Sequence, residues 1–158
     1  MKYALMALCL ALVSLTACQK KEVTVMVHEP HAFETAEGMK VGAILSMFHN
    51  SSDKDDALVK VETPLTPRAE IHNMSEENGV MKMRQVDEMP IPASGMASLT
   101  ADGYHVMLFV LAQPLKAGDE FDATFHFKNS APVTTKIVVR SRQDLQDSMN
   151  GMDHSGHH

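Results

Sequence analysis

Apolar and polar residues alternate with a period of two through much of the chain, as they do in strands with one buried face. The segment 121–127 is the plainest case. Phe121, Ala123, Phe125 and Phe127 point one way, and Asp122, Thr124 and His126 point the other. Comparable short runs occupy 23–27, 41–49, 57–62, 69–74, 80–86, 96–99, 104–111 and 133–139, separated by turn-forming residues. Pro64 and Pro67 close one run, and Pro90 and Pro92 mark an irregular crossing. His28 and His31, around Glu29-Pro30, are expected in a loop. About eight or nine short strands without a long helix predict an all-β fold, a sandwich or a barrel.

Asn78-Gly79 is the strongest local hairpin signal and fits a two-residue type I′ turn. That turn pairs residue 77 with 80, which places Met74 opposite Met83, with His72 one step along the same face. Met81 shares this face, and alternation puts His105 and Met107 on one face of their own strand. Imidazole and thioether without a thiolate form a ligand set for soft monovalent copper. Nine His and thirteen Met would give roughly 0.7 His-x-Met triplets by chance. Two are present, His72-Asn73-Met74 and His105-Val106-Met107, so the triplets alone carry little weight. Methionine is also a common core filler, which leaves open a reading in which Met83 and Met107 are packing residues of a structural lipoprotein.

The N-terminus defines a compartment. Residues 1–17 carry Lys2 and then an apolar run too short to span a bilayer, the layout of a secretory signal. The run ends in Leu15-Thr16-Ala17-Cys18, which resembles the bacterial lipobox, in which the cysteine becomes the lipidated first residue. Cys18 is therefore the expected lipidation site and 18–22 a tether; Gln19 after it favours the outer membrane of the periplasm by the family sorting rule. Cys9 falls within the signal, so the domain expected over 23–141 holds no free thiol. Thioethers suit copper(I) in an oxidising compartment because they do not form disulfides. A blue-copper electron-transfer site, which needs a Cys thiolate, is excluded. A net charge of −6 without a basic run argues against nucleic acid as a partner. No nucleophile–base pairing or phosphate-type glycine loop stands out, so no enzyme activity is expected.

The segments Ala69-Glu-Ile-His-Asn-Met74, Gly79-Val-Met-Lys-Met-Arg84 and Gly103-Tyr-His-Val-Met-Leu108 resemble the PCu(A)C-type periplasmic copper chaperones. The signature of that family is a His, ten residues, a Met, twenty-one residues, then His-x-Met, and the chain matches it without a gap. The likeness extends over roughly 41–139, including the turn Pro114-Leu-Lys-Ala-Gly-Asp119. It implies a cupredoxin-like, Greek-key β-sandwich with a copper(I) site near the surface, its ligands His72, Met83, His105 and Met107. Met74 and Met81 are expected to shield or support them. The resemblance further implies copper delivery toward the cytochrome c oxidase copper subunit, together with a thiol-containing assembly protein. Storage or resistance by sequestration is the alternative use of such a site.

From residue 142 the pattern gives way to a flexible tail, 142–158, rich in His and Met. Met149, Met152, His154, His157 and His158 form a candidate second copper site, with imidazoles suited to copper(II). His49, at a strand end, and His126, facing outward, are expected to be solvated.

Overall fold

The computed structural model describes residues 21–144. Ten strands run in chain order: β1 (Val25–Phe33), β2 (Gly42–Asn50), β3 (Asp56–Glu62), β4 (Arg68–Glu77), β5 (Val80–Gln85), β6 (Met89–Ile91), β7 (Met96–Leu99), β8 (Tyr104–Phe109), β9 (Glu120–Phe127) and β10 (Val133–Arg140). They form one hydrogen-bonded sheet in the order β5-β4-β8-β7-β2-β1-β10-β9-β3-β6. The β1–β10 and β7–β8 pairs are parallel, and the other pairs are antiparallel. The sheet folds over on itself, so Phe48 of β2 meets Phe125 and Phe127 of β9 edge-on, at 5.5 and 5.8 Å between ring centroids. The all-β, cupredoxin-like sandwich expected from the sequence is the fold observed.

Alternation decides which residues fill the space between the layers. Ile71 on β4, Val106 and Leu108 on β8, and Ile44 and Phe48 on β2 all point inward and are buried. Their neighbours in sequence form the outer surface of the same strands. At one end of the sandwich the buried Asp56 joins β3 to the 128–131 turn. Its Oδ1 accepts the backbone N–H of Ala57 and Asn129, and its Oδ2 accepts that of Ser130, at 2.7–2.9 Å.

Three segments depart from expectation. His28 and His31 lie within β1 rather than in a loop; the strand bulges between them, with Glu29 at φ 45° and neither Glu29 nor Pro30 in the ladder. A bulge leaves a residue without a ladder partner, which is how a strand tolerates proline. Likewise Pro90, expected in an irregular crossing, sits in the short strand β6. That strand ends the sheet order, and an edge strand accepts proline because one side of it needs no donor. The run from 104 also stops at Phe109, because Val110 takes φ 57° and turns the chain out of the sheet.

Candidate metal centre

The turn at Asn78-Gly79 has positive φ at both residues, 55° and 77°, as a type I′ hairpin requires. The register is the one this turn dictates: Glu77 faces Val80, Met74 faces Met83 and His72 faces Gln85. On its other side β4 pairs with β8, setting His72 opposite His105 and Glu70 opposite Met107. Cross-strand partners share a face, so His72, Met74, Met81, Met83, His105 and Met107 all lie on one side of β5-β4-β8. Ile71, Val106 and Leu108 occupy the opposite, core side, so this is the outer face.

The two imidazoles lie close together, with ring centroids 6.2 Å apart and 27° between planes. Both are buried although they sit on the outer face. Phe109 lies 5.8 Å from the His72 ring and carries the Arg68 guanidinium 4.5 Å above its own. Met83, about half exposed, reaches over β4 to put Sδ 3.2 Å from His105 Nε2. Met107 is half-buried, two residues along β8 from His105. Met74 is half-buried beside Met83, while Met81 is exposed nearer the hairpin tip.

Hydrogen bonding distinguishes the two nitrogens of each ring. His105 Nδ1 lies 3.0 Å from the Gly103 carbonyl, to which only an N–H can donate, so Nε2 is left with its lone pair toward Met83. His72 Nε2 lies 2.9 Å from Glu70 Oε2 and donates to that carboxylate. His72 Nδ1 is buried and has no hydrogen-bond partner. Each ring thus has one nitrogen anchored to an acceptor and one free, the usual state of a metal-ligating histidine. Glu70 is itself held by Arg68 Nε at 2.6 Å. Arg68 first, and His72 second, keep its carboxyl below the ordinary carboxylate range.

Sequence reasoning did not single out Glu70. The available signal was its place two residues before His72, on the same strand face. Among the described residues, no group of three or more His, Cys, Asp or Glu side chains could hold a metal. The core-filling reading of Met83 and Met107 fails on burial, since neither belongs to the core and Met89 is its one methionine among the described residues. His126 is also not simply solvated, because its Nε2 lies 2.7 Å from Glu62 Oε2. Cys18 and the tail residues Met149, Met152, His154, His157 and His158 lie outside the described residues.

The chain is similar to several known proteins. Among curated proteins, "Uncharacterized protein RP573" of Rickettsia prowazekii is 35% identical over 91 residues, 56% of this chain and 48% of that protein. The chain thus spans about half the length of that relative. Among solved structures, the copper-bound PCuAC domain from PmoF2 superposes with a TM-score of 0.65 at 18% identity, over 77% of this chain and 97% of that domain. Apo-DR1885 from Deinococcus radiodurans gives a TM-score of 0.58 at 26% identity, over 89% of this chain and 97% of that one. The profile of the LpqE-like lipoproteins matches residues 25–139, nearly the whole span of the sandwich, and the chain belongs to that family.

Proposed function

We propose that the chain carries copper(I) in the periplasm on His72, Met83, His105 and Met107 and passes it to a copper-requiring acceptor. One observation carries this reading: each histidine commits one nitrogen to an oxygen acceptor and leaves the other without one, on a strand face that both rings share with thioethers. Two lone-pair donors 3.2 Å apart, His105 Nε2 and Met83 Sδ, gain nothing from each other and much from a soft cation between them. The copper-bound PmoF2 domain and the CuI-DR1885 structure share the fold and support the choice of metal.

Neutral imidazole and thioether leave a bound copper(I) with its single positive charge. An acceptor site that contains thiolates holds the ion more tightly, so transfer runs downhill without an energy source. β5 is the exposed edge strand that carries Met83, and an approaching acceptor reaches this ligand first. The family likeness points to the cytochrome c oxidase copper subunit as the destination, with a thiol-containing assembly protein as intermediary. Lipidation at Cys18 would tether the domain to the outer membrane, and the His/Met-rich tail would take copper(II).

Competition with a chromophoric copper(I) chelator tests the assignment. The His105→Ala variant should bind copper(I) far more weakly while keeping its β-sheet circular dichroism; unchanged affinity would sink the reading. Mixing the loaded protein with an apo oxidase copper domain separates delivery from storage, because a storage protein keeps its ion.

A further inference from the structure

Among the described residues, the methionines are mostly outside. Six of the eleven exposed large hydrophobic residues are Met and the rest are Val, while the buried core holds Met89 alone. Met81 and Met83 belong to the centre described above. Three others, Met26, Met47 and Met96, gather elsewhere on the outer face of the same sheet.

Strand register assembles them. His49 of β2 faces Met26 of β1 on one side and Met96 of β7 on the other, giving a Met–His–Met row across three adjacent strands. Direct cross-strand neighbours have β-carbons about 5 Å apart, a spacing that one ion can bridge with long thioether arms. The next pair along, His28 facing Met47, lies on the same side. The core residues Val25, Phe48 and Leu99 point the opposite way.

The histidines agree with this. Among the described residues, His31, His72, His105 and His126 each hydrogen-bond to an oxygen acceptor. His28 and His49 are the two described histidines whose side chains make no hydrogen bond or ion pair, and both lie on this face. His49 is half-buried, with Met26 and Met96 as its cross-strand neighbours, and no protein group occupies its ring nitrogens. Met107 faces Ala43 of β2, and Met47 and His49 lie four and six residues further on. At about 3.4 Å per residue that is roughly 13–20 Å, too far for one ion to serve both groups.

We propose a second soft-cation site on β1-β2-β7, with His49, Met26 and Met96 as ligands to a monovalent ion of the copper(I) or silver(I) class and His28 able to complete the set. The site stands on its own residues and does not require the His72–Met107 centre to bind metal. With this site, one face of the protein carries two separate stations for the same kind of ion.

Silver(I), a diamagnetic soft monovalent cation, is the probe. The full chain with 13C-methyl methionine is titrated to molar excess and each methyl resonance is followed. Met26 and Met96 should shift together, and should shift equally in a His72→Ala/His105→Ala variant. His49→Asn should abolish or greatly weaken their response, with circular dichroism confirming the fold. The proposal is overturned if Met26 and Met96 stay still in molar excess, or move equally in His49→Asn. Met83 and Met107 report separately: if they stay still while Met26 and Met96 move, the main functional reading fails and this one stands.

Discussion

His105 Nε2 stands 3.2 Å from Met83 Sδ, while the other nitrogen of the same ring is tied to the carbonyl of Gly103. The Gly103 carbonyl also accepts the backbone N–H of Met74 at 3.0 Å, so the turn before β8 fixes both the ring and the strand beside it. The thioether is the exposed partner, on an edge strand, and the imidazole is the buried, anchored one.

Replacing Met83 with Leu keeps volume and removes only the sulfur. Because Met83 is about half exposed, stability should change by no more than about 0.5 kcal/mol. Copper(I) affinity should fall at least about tenfold, the lower end of what losing even an outer-sphere partner costs. Met74→Leu should cost less, since Met74 flanks the centre. Chelator competition on the two variants checks the ranking, and equal losses would make Met74 a ligand.

Glu70 is expected to matter without touching the metal. Glu70→Ala leaves the His72 Nε2–H without its acceptor, so the ring loses both its preferred tautomer and its orientation. Affinity should drop by about 10- to 100-fold. The 15N shifts of the His72 ring in the metal-free protein give the tautomer directly, and a pattern the same as wild type would count against the positioning role.

The β4–β5 hairpin should loosen in acid. Glu77 accepts hydrogen bonds from Lys82 at 2.7 Å and Arg84 at 3.0 Å, and these cations, Lys82 first, lower its pKa from the ordinary value. A lowered carboxylate pKa contributes stability that is complete above the unfolded-state value and vanishes as pH falls through the folded-state value. Amide protection in the hairpin, measured relative to the core strands, should therefore decline in that acid range. Glu77→Gln should show no such step; a matching decline in that variant would implicate another group. The effect should be small, because the pair is solvent-exposed.

Asp56 offers the reverse separation. Asp56→Ala strips the acceptor from three backbone N–H groups and should destabilise the fold by about 2 kcal/mol or more, read as a lower urea midpoint. Copper(I) affinity of the folded variant should be unchanged, since Asp56 bonds the turn before β10 and its strand is not a sheet neighbour of β4, β5 or β8.

What the sequence makes legible here is local. Asn78-Gly79 carries its own backbone preference, so the facing of Met74 and Met83 follows from two residues. Period-two alternation then suffices to turn His72, His105 and Met107 to chosen sides of their strands. Which strands become neighbours is another matter. The Met26–His49–Met96 row depends on β1, β2 and β7 meeting across the chain, and no short-range pattern encodes that pairing. Pro30 and Pro90 misled for a related reason, because a bulge and a sheet edge are tertiary circumstances that remove proline's usual penalty. Glu70 was hidden because a Glu two residues from a His becomes a hydrogen-bond partner only when the strand forms.

The outward-facing and core-facing residues of β4 and β8 alternate along the same few positions, yet they answer to different demands. Inward residues are held by the hydrophobic core, and outward ones, even the buried His72 and His105, lie outside it. Substitutions at His72, Met83, His105 or Met107 can therefore accumulate in a lineage while the sandwich persists, altering what the outer face could hold and leaving the fold intact. Descendants of one such ancestor can range from carriers to empty shells with superimposable backbones. Sorting them requires reading the outward positions of three strands, one residue at a time.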